Sequence, residues 1–174
     1  MLRISERRFT MLKIFNTQLN GIFKKIDMQE AELDIAGRLL AQAVVGEGKI
    51  YVKGFGDLKF FEEFAANSKE NLFDAAVYIS DALVDGTDRI LVMSDAYDES
   101  TAEFVDSLEA RDIDYVLVCN KHKDIRSMNF IDLSTPRALV PTEDFSRIIT
   151  PHMMAMNYIY YAIYNVMHEM LVEE

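Results

Sequence analysis

The sequence predicts an α/β protein built on a doubly wound parallel sheet, and three observations carry that expectation. Five short runs of apolar and β-branched residues, at 49–53, 75–80, 89–94, 114–120 and 128–133, alternate with segments of helical periodicity. Two of them, RILVMS and DYVLVCN, are nearly continuous in apolar character, as strands covered on both faces must be. Strands alternating with helices fold as parallel sheets with right-handed crossovers. Ligands of such sheets bind beyond the carboxyl ends of the strands, near the point where strand order reverses.

The elements follow in order. Residues 1–25 form an amphipathic helix carrying Arg3, Arg7, Arg8, Lys13, Lys24 and Lys25 against Glu6 alone, a charge of +5 that leaves −16 on residues 26–174. Such a helix suits a membrane surface, but opposite charges favour its packing on the acidic body or on a second subunit. From Ile26 to Val45 apolar residues recur at three and four (Ile26, Leu33, Leu39, Leu40, Val44), and Gly46 ends that helix. Strand 49–53 then runs into Gly54-Phe55-Gly56. The segment DLKFFEEFAANSKENL reads as a helix with Leu58, Phe61 and Phe64 inward, AAVYIS as the second strand, and Asp85-Gly86 as a turn. TAEFVDSLEARDI is helical, with Phe104, Val105 and Leu108 on one face. Beyond Pro136 and Pro141 a last helix runs from about Pro151 to the end. No linker composition divides the 174 residues, so one domain is expected, a helix at 1–25 and a body at 26–174.

Composition narrows the function. A net charge of −11 argues against nucleic acid as a partner, and no apolar run is long enough for a membrane span. Cys119 is the sole cysteine, which excludes a disulfide framework and a thiolate metal site and fits a cytoplasmic location. His122, His152 and His168 do not fall at metal-ligand spacing, so each reads as a surface or capping residue, and neither metal nor cofactor is expected. Tyr158, Tyr160, Tyr161 and Tyr164 form an aromatic band on the last helix, read as core or subunit interface because one helix cannot aim all four at a single ligand. A dinucleotide fingerprint in GFGDLK fails where Lys59 replaces the third glycine.

The order of elements, with GKIYVKGFGD followed by DRILVMSDAYDESTAEFVDSLEARDIDYVLVCN, resembles the SIS (sugar isomerase) family, in particular its phosphoheptose isomerase type, over residues 27–173. The resemblance implies a flavodoxin-like three-layer α/β sandwich with a parallel five-stranded sheet, assembled as a dimer or tetramer. It also implies a phosphosugar held by a Gly-x-Gly-Gly-Ser loop after the first strand and a Ser-Thr-Ser-Gly-Asn-Ser loop after the third. Here Gly54 and Gly56 keep the glycine positions on either side of Phe55, but Asp57 and Leu58 replace the next Gly and Ser. In the second loop Ser94 is kept, and Asp95, Ala96, Tyr97, Asp98 and Glu99 follow. The candidate ligand-binding set is therefore Gly54, Phe55, Gly56, Asp57, Ser94, Asp95, Asp98, Glu99 and Ser100.

Three carboxylates in the second loop oppose a dianion, and they admit three readings. Asp98 and Glu99 begin a helix, where carboxylates cap free N–H groups and meet the positive end of the dipole; Ser100 with Glu103 has capping-box spacing. Alternatively, Asp57, Asp95 and Asp98 surround a hard cation or an amine, or a phosphosugar binds through backbone N–H groups helped by Lys53 or Lys59. No catalytic residue is assigned. The resemblance puts the acid/base Glu near Asn67 or Ser68 and the His within Tyr158–Tyr161, with His152 and His168 too far from it along the helix. A sugar derivative bound without catalysis, in a homodimer, is the expectation; an isomerase with rearranged acid/base residues is the alternative.

Overall fold

The structure is a computed structural model that describes residues 2–172, with side chains from residue 9. Five strands, β1 (Ile50–Phe55), β2 (Ala76–Val77), β3 (Arg89–Ser94), β4 (Tyr115–Cys119) and β5 (Phe130–Asp132), form one sheet in the order β2-β1-β3-β4-β5. Every pairing is parallel, so the sheet has the flavodoxin-like order with its switch point between β1 and β3. Helices α1 (Leu2–Asp27), α2 (Glu30–Val45), α3 (Phe61–Asn67), α4 (Glu99–Ala110) and α5 (His152–Val172) surround it, and β6 (Val140–Pro141) pairs antiparallel with β7 (Arg147–Ile148) beside the sheet.

Side-chain alternation divides the core into two layers. Val52, Leu91, Met93, Val116, Val118 and Ile131 meet α2 and α5 on one face, while Ile90, Val92, Leu117 and Cys119 meet Val105 and Leu108 of α4 on the other. Both faces of β3 and β4 are covered, which is why RILVMS and YVLVC read as continuous apolar runs. Burial pushes the Cys119 thiol up to about 12, which leaves it a packing group without thiolate chemistry. The tyrosine band is spread over several contacts. Tyr160 is fully buried against Phe61 and Phe64, Tyr158 stacks on Phe23 of α1 at 4.5 Å, and Tyr164 stacks on Phe73.

Three local expectations need correction. The helix expected over 26–45 is broken: Ile26 belongs to α1, and α2 begins at Glu30. The break lets Gln29 pair with the edge strand, donating to the Asp132 carbonyl at 2.9 Å and accepting the Asp132 N–H at 2.7 Å. These bonds satisfy backbone groups that an edge strand leaves open. The helix expected over 57–72 is a tight turn at Gly56–Phe60 followed by the seven-residue α3. The second strand keeps only Ala76–Val77, with one further bond from the Tyr78 N–H to the Val52 carbonyl.

Candidate functional site

Phe55 at the end of β1 lies in register with Ser94 at the end of β3, so the loops GFGD and SDAYDES meet at the switch point. A Cβ on Gly54 would lie 2.5 Å from the Leu58 carbonyl oxygen and 2.7 Å from Lys59 Cα, so only glycine lets the following turn fold back over β1. Gly56 adopts φ +55, a left-handed conformation that glycine reaches at no steric cost. The backbone of an anion cradle is therefore present.

Two of its N–H groups are already engaged. The Asp57 N–H points at Asp95 Oδ2 at 3.3 Å, and a Cβ on Gly56 would fall 2.0 Å from Asp95 Oδ1. The Gly54 N–H donates to Glu62 Oε1 at 2.7 Å. Two carboxylates of the chain thus accept from backbone donors of this segment, and each adds negative charge against an anion. Phe55 turns to Phe104 of α4 at 5.6 Å, with Lys53 Nζ 5.3 Å from its ring.

In the second loop Ser94 is buried. Its hydroxyl donates to the Ala96 carbonyl at 2.6 Å and lies 3.0 Å from Thr101 Oγ1, so it braces the loop from inside. Asp98 is the N-cap of α4, accepting the Thr101 N–H at 2.9 Å and the Thr101 hydroxyl at 3.0 Å. Glu99 and Ser100 are exposed residues of the first turn. The capping partner is Thr101, which corrects the Ser100–Glu103 box: the helix starts two residues earlier than that box requires. Asp98→Ala is expected to lower stability by about 0.5 to 2 kcal/mol in urea denaturation, and a change of no more than a few tenths would show that the cap is dispensable.

The remaining acids meet a histidine that spacing along the sequence did not reveal. One ligand atom each from Asp57, Asp95 and His152 lies within 4.8 Å of the others, a set suited to a divalent cation or to sharing a proton. Asp98 is not in that group, so the expected trio of Asp57, Asp95 and Asp98 is replaced by one containing His152. His152 is the first residue of α5 and is held by Thr135, whose hydroxyl lies 2.7 Å from Nδ1. Thr135 is in turn fixed by Asn120 after β4, which accepts the Thr135 N–H at 2.7 Å and donates to the carbonyls of Asp95 at 2.7 Å and Thr135 at 3.1 Å. One amide side chain therefore ties the loops after β3, β4 and β5 together and seats the histidine. Ser134 and Ile149, just before Thr135 and Thr150, have φ of 60 and 67. At Ile149, which is β-branched, that conformation is costly.

Asp95, Asn120, Thr135 and His152 line a cleft of about 430 Å³ together with Tyr97, Lys121 and Arg137 among others. A depression of about 500 Å³ ringed by Glu47, Asp74, Asp85 and Asp88 borders the start of β3 instead, the end of a parallel sheet that does not carry ligand sites. Among the described residues no helix is long and apolar enough to cross a membrane.

The fold is that of a flavodoxin-like α/β protein with a cleft at the carboxyl ends of its parallel strands. The chain is similar to a phosphoheptose isomerase from Francisella tularensis, with a TM-score of 0.60 at 13% identity over 90% of this chain and 97% of that one, a likeness of fold alone. Residues 11–171 match the family described as Domain of unknown function (DUF2529), and the chain belongs to that family. It is 34% identical over 173 residues to the Uncharacterized protein YwjG of Bacillus subtilis (strain 168), covering 94% of this chain and 99% of that one.

Proposed function

We propose that this chain is an SIS-like module that binds a sugar derivative or another small polar molecule in the cleft at the carboxyl ends of β3 and β4, without catalysing a reaction on it. The observation that carries this reading is the engagement of the cradle's N–H groups by Asp95 and Glu62, beside an open, polar cleft of ligand size. The positions where the resembling family supplies its catalytic Glu hold Asn67 and Ser68, neither of which is a general base. Incubation with neutral sugars, amino sugars, sugar acids and phosphosugars, followed by melting-temperature measurement, tests the reading. A ligand that binds only the folded state raises the melting temperature in a concentration-dependent way. A hit that is bound and recovered unchanged supports it; a flat response to every compound contradicts it.

A second reading, an isomerase with rearranged acid and base, draws on one observation: His152 and Asp95 line the cleft together, a pairing able to move a proton between adjacent carbons. Aldose–ketose turnover that disappears in His152→Gln would favour it over the binding reading.

Assembly as a homodimer belongs to the same proposal, together with a cytoplasmic setting. Phe9 and Leu12 of α1 are 66% and 63% exposed on a helix whose cations oppose an acidic body, which suits a second copy of the chain as cover. Light scattering at micromolar concentration is expected to give the dimer mass, and a monomer mass would end this part of the proposal.

A further inference from the structure

The cleft holds charges of both signs that do not neutralise one another. Asp95, with Asp57 beside it, stands at one part of the site, and Lys121 and Arg137 line the same cleft. Among the described residues no ion pair joins either aspartate to either cation. In a body of charge −16, nearby acids would readily pair with Lys121 or Arg137 if they reached them. Instead the two signs face a shared volume of about 430 Å³, room for one small molecule with bridging water.

We infer that the cleft takes a small dipolar ligand, one that carries both an ammonium group and a carboxylate on a polyol or sugar-sized frame. This inference rests on the cleft being the ligand site proposed above. The ammonium end lies toward Asp95, whose carboxylate oxygens accept hydrogen bonds only. The carboxylate end lies toward Arg137, whose planar fork matches a carboxylate with two parallel hydrogen bonds, and toward Lys121. Tyr97 is half-buried in the cleft wall with its ring 5.9 Å from that of His122, an apolar surface for the ligand's carbon frame. A ligand with one charge satisfies one side and leaves the other without a partner. The dipolar molecule is therefore selected by the sum of both contacts.

Four pyranoses of one shape separate these effects: glucose, glucosamine, glucuronate and 2-amino-2-deoxyglucuronate, at about pH 6, where the amine is protonated and the carboxyl group ionised. Calorimetric titration of the full chain is expected to give the dipolar sugar the tightest binding, by about tenfold over either singly charged one. Arg137→Gln is expected to erase its advantage over glucosamine and keep its advantage over glucuronate; Asp95→Asn should do the reverse. Arg137 is exposed and Asp95 half-buried, and cooperative melting of the free variants confirms that they fold. Equal binding of all four sugars, or an advantage that neither variant alters, overturns the dipolar inference while the cleft itself stands as a sugar site. Binding by none of the four also overturns it. Whether the cleft binds anything is then answered separately by the wider compound series.

Discussion

Replacing Tyr160 with alanine is expected to destabilise the protein by about 3 to 5 kcal/mol, the range for removing a buried aromatic side chain. The ring is fully buried where α5 crosses the turn and helix that follow β1, with centroids 5.4 Å from Phe61 and 5.3 Å from Phe64. Its hydroxyl donates to the Glu70 carbonyl, so truncation leaves both a cavity and a carbonyl without its partner. Tyr160→Phe keeps the ring contacts and removes only that bond, and is expected to cost about 1 to 3 kcal/mol. Urea denaturation of the pair separates packing from hydrogen bonding. Equal losses in the two variants would show that the ring contributes little.

The second large effect is expected at Gly54. Alanine there puts a methyl group 2.5 Å from the Leu58 carbonyl oxygen and 2.7 Å from Lys59 Cα, and backbone atoms cannot swing aside as a side chain does. A loss of about 3 kcal/mol is expected, at the upper end of ordinary overpacking costs. Gly56→Ala is a useful contrast. Its neighbour is the end of the Asp95 side chain, which can rotate away, so the main cost is the left-handed backbone, about 1 to 2 kcal/mol. A smaller loss at Gly54 than at Gly56 would mean that the turn is free to open.

Much of this fold is legible in the sequence because its signals are local. The unbroken apolar runs of β3 and β4 report a sheet covered on both faces, and Asp98 sits where a helix start calls for an acceptor. The break at Gln29 has no local signal: it arises because a side chain reaches across to Asp132 on an edge strand. The brevity of β2, likewise at a sheet edge, follows from pairings that the sequence does not display.

The site divides along the same line. Glycine spacing and the substituted acids marked the two loops, and Asp57 and Asp95 do meet there. His152 was missed because its partners come from distant loops and the expected register fell further along the helix, within Tyr158–Tyr161. The available signal was its position directly after Pro151. A proline at a helix start fixes the first turn, and in this topology that turn faces the carboxyl ends of the strands. The shift from Asp98 to His152 has a matching cause, since the Asp98 carboxylate is committed to Thr101.

The central claim is that Asp95 occupies the anion position of the cradle. It is tested most directly by following the Asp57 backbone amide by NMR while inorganic phosphate is added to the unmodified protein and to Asp95→Ser. In the unmodified protein that amide already faces Asp95 Oδ2 and is expected to show no saturable response to millimolar phosphate. In Asp95→Ser the N–H is released and a negative charge is gone, and a saturable shift at Asp57 is expected. A saturable response of equal size and affinity in both proteins would contradict the account.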